Sequence, residues 1–156
     1  MSDTLTQPSV KLIHLPAERL GECAAGAAEF FEEGKLPGRF DPEVFVETWR
    51  ALLMTGRACL LAIEREGVLD GGLGGILYPD PNDGVTVATE MFWYVRQGHR
   101  GQGLRLLRAF EQWSRGQGAR RIIMVHLLTL QPEELRRLYR RLGYHDAEVH
   151  YLKELD

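Results

Sequence analysis

The sequence predicts an α/β fold: one central mixed sheet, mostly antiparallel, flanked by helices. Three observations predict it. Four segments carry apolar residues at helical spacing, six carry the alternation or β-branched richness of strands, and Gly or Pro punctuates the joins. Their order, β-α-α-β-β-β-α-β-α-β, is that of a mixed architecture around one sheet. A single domain is expected over residues 10–156, since this length buries roughly 68–70% of its unfolded surface.

The elements follow in turn. Residues 1–9 are polar and expected to be frayed. Val10 to Leu15 reads as a first strand. Ala17 to Glu33 reads as a helix with Leu20, Cys23, Ala24, Ala27, Phe30 and Phe31 on one stripe, ended by Gly34, Pro37 and Gly38. A second helix starts at the Asp41 cap, with Pro42 at its first position and Glu43 at the positive end of the dipole. Phe45, Trp49, Leu52 and Leu53 form its buried face, and Gly56 ends it.

Ala58 to Arg65 and the glycine-rich Val68 to Leu77 are strands joined by a Glu66-Gly67 turn, and Val85 to Val95 is a long third strand of this group. A loop from Gln97 to Gly103 opens into a helix whose Leu104, Leu107, Phe110 and Trp113 share a face. Arg121 to Leu128 reads as an apolar strand. Pro132, Glu133 and Glu134 start a last helix that presents Leu135, Leu138, Tyr139 and Leu142, with Gly143 as its C′ residue. Glu148 to Leu152 reads as a closing strand, available for pairing between subunits, so that a homodimer stays open.

Composition is ordinary for a globular protein, with 44% hydrophobic and 26% charged residues. The net charge of −3 gives no footprint for nucleic acid. Charge is uneven: Arg96 to Arg141 holds eleven arginines and three acidic residues, a bias that suits a small polyanion better than a duplex. Cys23 and Cys59 lie in apolar surroundings without metal-site spacing and read as buried thiols; no metal site is expected. No secretory signal and no apolar run near ~20 residues is visible, so the expectation is a cytoplasmic protein with no membrane partner.

The segment Val95-Arg-Gln-Gly-His-Arg-Gly-Gln-Gly-Leu-Arg105 carries the strongest chemical signal. A strand ends, glycines follow, and an amphipathic helix begins. The first helical turn leaves N–H groups unpaired at the positive end of the dipole, which makes an anion site, and Arg96, Arg100 and Arg105 add charge. A dinucleotide fingerprint would need GxGxxG early in a βαβ unit; the order here is GxxGxG, after three antiparallel strands, and does not fit.

Arg100-Gly-Gln-Gly103-Leu-Arg105, followed by two leucines, resembles the pyrophosphate loop of the GNAT (Gcn5-related N-acetyltransferase) superfamily, Gln/Arg-x-x-Gly-x-Gly/Ala. Leu138-Tyr-Arg-Arg-Leu-Gly-Tyr144 resembles that family's penultimate-helix signature, and Ala119-Arg-Arg-Ile-Ile-Met124 falls where the family has its fifth strand. The element order matches from Val10 to Leu155. Glu90-Met-Phe-Trp-Tyr-Val95 and Leu106 to Trp113 look most like members from phages and prophages. Two departures stand out: Arg105 replaces Gly or Ala, and the Asn before the penultimate helix is replaced by Gln131-Pro132.

The resemblance implies direct acetyl transfer from acetyl-CoA, used as a co-substrate, to an amine acceptor on a small molecule or a protein. Arg100, Gly101, Gln102, Gly103, Leu104 and Arg105 would take the pyrophosphate, and main-chain groups of Trp93, Tyr94 and Val95 the pantetheine arm. Tyr139 matches the family's general-acid tyrosine. For the base, Glu90 is the candidate, an acid inside an apolar strand where alternation places it on one face with Phe92 and Tyr94. A substrate-binding carboxylate is its alternative role. His126, expected on a strand as a hydrogen-bonded core residue, and a water chain are the other candidates for the base. The Gly38-Arg-Phe40 loop is placed near the acceptor by analogy. The competing reading from another class is a non-catalytic acyl-CoA-binding module on the same fold; a nucleotide-binding domain is a third.

Overall fold

The structure, a computed structural model, describes residues 9–155. Residues 1–8 of the segment expected to be frayed lie outside them. The chain divides into two compact units, one ending at Val125 and the other starting at His126.

The first unit runs β1 (Val10–His14), a 3₁₀ turn (Ala17–Arg19), α1 (Leu20–Glu33), α2 (Pro42–Met54), β2 (Ala58–Arg65), β3 (Val68–Pro79), β4 (Thr86–Val95), a second 3₁₀ turn (Arg100–Gln102), α3 (Gly103–Gly116) and β5 (Arg121–Ile123). Local chemistry sets these limits. Asp41 Oδ1 accepts from the N–H groups of Glu43 at 3.0 Å and Val44 at 3.2 Å, satisfying two donors that α2 would otherwise leave open. Glu66 and Gly67 both adopt positive φ, the backbone a two-residue hairpin between β2 and β3 needs.

The five strands form one sheet in the order β1-β2-β3-β4-β5, antiparallel except for the parallel β4–β5 pair. One face packs Leu60, Ala62 and Tyr94 against Leu20, Cys23 and Ala27 of α1 and Trp49 of α2. The other packs Leu61, Ile63, Leu73 and Ala88 against Leu106 and Phe110 of α3. Neighbouring glycines of β3 let both layers approach: a Cβ on Gly74 would lie 2.4 Å from the Trp49 ring, and one on Gly75 2.3 Å from the Phe110 ring. Cys23 and Cys59 are buried free thiols, and burial pushes each up to about 12.

Two β-bulges interrupt the ladders. In β3, Gly71 pairs with Ile63 and Leu69 with Glu64, which leaves Asp70 as the extra residue. In β4, Phe92 pairs with Gly74 and Glu90 with Gly75, which leaves Met91 extra.

The second unit holds α4 (Pro132–Arg141). Pro132 starts it, Glu133 and Glu134 lie in the first turn, and Arg140 and Arg141 in the last, each favoured by the dipole. It closes in a Schellman motif: Gly143, at φ +90°, gives its N–H to Arg140 O, and Tyr144 gives its N–H to Tyr139 O at 2.9 Å.

Two strand expectations are corrected. β5 covers Arg121–Ile123 and not Arg121 to Leu128. The bulge at Met91 bends β4, the ladder stops at Thr89↔Ile123, and Val125 N–H goes to a side chain, Glu90 Oε2, in place of a strand carbonyl. The closing strand over Glu148 to Leu152 does not form, and Val149 and Tyr151 are exposed. Alternation proposes which side of a strand is apolar, but a strand persists only where a neighbour takes its main-chain groups, and no described strand pairs with this segment. It offers no preformed strand to a second subunit.

Candidate active site

β4 delivers the first group of candidate residues. Glu90 is buried, and its Oε2 accepts from the Val125 N–H at 3.0 Å. Desolvation pushes its carboxyl up to about 7, against the opposing effect of that hydrogen bond. The Met91 bulge breaks the period of two, so Glu90 does not share a face with Phe92 and Tyr94 as expected. Its partner Gly75 faces Phe110 of α3, whereas Gly74, the partner of Phe92, faces Trp49 of α2.

Beyond Thr89, β4 continues to Val95 while β5 ends. Arg96 N–H donates to Asp70 O at 2.8 Å, which marks a hydrogen-bonded pair. By the antiparallel alternation, Tyr94 also turns its main-chain groups towards β3, and Trp93 and Val95 turn theirs to the outer edge of β4. The Tyr94 side chain belongs to the core: its hydroxyl points at Cys23 O, 3.4 Å away, and its ring stacks on Phe92.

The loop from Arg96 to Gly103 is folded by its own main chain. His99 N–H donates to Arg96 O and Gln102 N–H to His99 O, and Gly98 takes φ +83°. The N–H groups of Gly98, Arg100 and Gly101 have no acceptor among the described residues. Gly101 borders open space, so an anion can approach its amide; Gly103 is small for a different reason, since a Cβ there would meet the Trp93 ring at 3.3 Å. The arrangement fits a phosphate group held by amides.

The arginines expected to add charge are engaged elsewhere. Arg100 pairs with Glu33, and Arg96 approaches Glu29 at 3.5 Å, both carboxylates on α1. The Nε of each of these arginines is buried without a hydrogen-bond partner. Arg105 reaches Gln102 Oε1 at 3.0 Å and Val10 O at 3.4 Å. A cleft of about 250 Å³ opens beside these pairs, between α1 and the end of β4. Phe40, in the loop placed near the acceptor by analogy, packs its ring between Phe31 and Phe45.

In the second unit Tyr139 is buried, with its ring stacked on His126 at 6.5 Å and tilted against Tyr144 at 5.5 Å. His126 is half-buried and lies after the end of β5, not on a strand.

Sequence reasoning missed Asp70, Arg65, His99, Glu29 and Glu33. For Asp70 a signal existed: it is the lone carboxylate of the apolar, glycine-rich run Val68-Leu-Asp-Gly-Gly-Leu-Gly-Gly75.

The model of the acetyltransferase (GNAT) family matches residues 22–144. The chain belongs to that family. No curated protein matches it by sequence. Solved acetyltransferases share its fold. A ribosomal-protein-alanine N-acetyltransferase from Brucella melitensis biovar Abortus 2308 aligns with TM-score 0.74 at 19% identity, covering 94% of this chain and 99% of that one. A predicted acetyltransferase from Clostridium acetobutylicum, solved with acetyl-CoA, aligns with TM-score 0.77 at 11% identity over 94% and 96%. The aminoglycoside N-acetyltransferase AAC(6')-Iy in complex with CoA gives 0.75 at 14% over 97% and 98%. At these identities the likeness speaks for the fold, and the family match makes this GNAT chain an acetyltransferase.

Proposed function

We propose that this GNAT protein moves an acetyl group directly from acetyl-CoA, its co-substrate, to an amine of a small molecule or protein. The observation that carries the proposal is the state of Glu90. A buried carboxyl whose pKa is pushed up to about 7, at the point where the β4–β5 ladder ends, is matched to taking a proton near neutral pH. The solved relatives with CoA and acetyl-CoA support the choice of co-substrate.

Each residue then has a task. The amides of Gly98, Arg100 and Gly101 hold the diphosphate, and the outward main-chain groups of Trp93 and Val95 line the pantetheine arm. Acetyl-CoA supplies the activated thioester. Glu90 takes the proton that the amine nitrogen loses as it bonds to the acetyl carbon, and Tyr139 gives its hydroxyl proton to the departing sulfur as the C–S bond breaks. The role of Tyr139 is supported by the Leu138 to Tyr144 motif, and a single acetyltransferase domain by a family match that runs through the Val125–His126 boundary. The runs Glu90 to Val95 and Leu106 to Trp113 support a place near phage and prophage members.

The test is calorimetry with acetyl-CoA followed by thiol release over a panel of primary amines. Binding with release from at least one amine is the expected result. Binding without release from any would leave an acyl-CoA-binding module, and no binding would remove the co-substrate.

A further inference from the structure

The loop that carries the free amides is tied to the β2–β3 hairpin through a buried charge. Asp70 is the extra residue of the β3 bulge, and the bulge turns its carboxylate into the protein, where its side chain is only 7% exposed. Its Oδ2 accepts from Arg65 Nε at 2.8 Å. The other end of the same guanidinium stands 3.1 Å from His99 Nδ1. Arginine is always charged and only donates, so Nδ1 accepts and the imidazole proton sits on Nε2. The 3.8 Å from His99 Nδ1 to Asp70 Oδ2 is too long for a direct bond, which makes Arg65 the link between them.

Asp70 therefore holds the loop at two places. Its carbonyl oxygen takes the Arg96 N–H at the loop's first residue, and its carboxylate, through Arg65, holds His99. Between these points lies Gly98 with its left-handed backbone, and directly after them come the amides of Arg100 and Gly101. A buried carboxylate in an otherwise apolar strand requires compensation, and a paired arginine supplies it. A pairing that served only to neutralise Asp70 would not need His99.

We propose that Asp70, Arg65 and His99 form a relay of positioning residues that orients the diphosphate-binding amides from behind. The inference rests on the reading that this loop grips the diphosphate of coenzyme A. None of the three touches the ligand; they fix the direction in which Gly98, Arg100 and Gly101 present their N–H groups.

The test compares acetyl-CoA, which carries the diphosphate and the 3′-phosphoadenosine beyond it, with S-acetylpantetheine, which keeps the acetyl-pantetheine arm and lacks both. His99 is half-exposed, so His99→Ala leaves folding intact and removes the acceptor for Arg65. The expected result is about a tenfold rise in Kd for acetyl-CoA, the scale of one charge-assisted hydrogen bond, with the Kd for S-acetylpantetheine and the Tm unchanged. Arg65→Lys, which keeps the charge but cannot reach both partners, should raise the Kd for acetyl-CoA likewise, with some loss of Tm because Asp70 is buried. His99→Asn, whose amide oxygen can accept near the Nδ1 position, should restore binding. An unchanged Kd for acetyl-CoA in His99→Ala overturns the inference, and so does an equal weakening of both ligands. A wild-type protein that does not bind acetyl-CoA at all overturns the loop reading itself, and this inference with it.

Discussion

The main-chain N–H of Val125 donates to Oε2 of Glu90 at 3.0 Å, so a side chain takes the place that a β4 carbonyl would occupy in a continuous parallel ladder. This bond lies just past the end of β5 and holds a carboxylate whose pKa burial raises to about 7. Two measurable consequences follow for pH.

The first concerns rate. With its pKa near 7, Glu90 is ionised and able to accept a proton above that value. Activity should rise with pH through a limb near 7 and level off above it. In Glu90→Gln the limb should disappear and kcat should fall by about 10²-fold. A variant that keeps both the limb and the rate would remove Glu90 from the chemistry.

The second concerns stability. Because burial raises the folded-state pKa above 4.5, the folded protein keeps a proton between 4.5 and about 7 that the unfolded chain has released. The stability tied to this proton is fully present below 4.5 and is lost as pH rises through 7, to an extent of roughly 3 kcal/mol. Glu90→Gln is neutral throughout and still offers Val125 an oxygen. Thermal melts at about pH 5 and about pH 8 should show the variant gaining on the wild type at the higher pH.

Tyr139→Phe should keep the fold, since the ring still packs between His126 and Tyr144. Its kcat should drop by about 10²-fold with the Kd for acetyl-CoA unchanged, read by steady-state kinetics and calorimetry. A wild-type rate in this variant would assign the hydroxyl a structural role.

Gly101 and Gly103 should respond differently to alanine. A Cβ on Gly101 enters open space, so Gly101→Ala should melt within about 0.5 kcal/mol of wild type yet weaken acetyl-CoA binding, because the methyl group stands where phosphate oxygens approach. Gly103→Ala presses on the Trp93 ring and should lose stability as well. Equal affinity in Gly101→Ala and wild type would move the diphosphate away from this amide.

In the core, Gly74→Ala places a methyl group 2.4 Å from the Trp49 ring and 2.5 Å from the Phe92 ring. Trp49 is buried and packs edge-on against Phe92. Urea unfolding should show a loss of about 1–3 kcal/mol, the usual cost of overpacking. An unchanged midpoint would mean that α2 rides more loosely on the sheet than its contacts indicate.

The sequence by itself determined every feature whose cause lies within a few residues. Asp41 and Pro42 start α2, Glu66-Gly67 makes the hairpin, Gly143 closes α4, and the glycines before Leu104 open a loop of free amides. Caps, turns and apolar stripes act over one helical turn or one strand pair, so they can be read without knowing the fold. Tertiary structure alone decided where alternation fails and which charges meet. The Met91 bulge turned Glu90 away from the face it shares by counting, and it ended β5 early. The Glu148 to Leu152 run alternates as a strand should and finds no neighbour to pair with. Arg65 and His99 are 34 residues apart in sequence, and Arg100 and Glu33 are 67 apart. A bulge is a mismatch between two strands, and an ion pair joins two distant segments; both arise only once the sheet has brought those segments side by side.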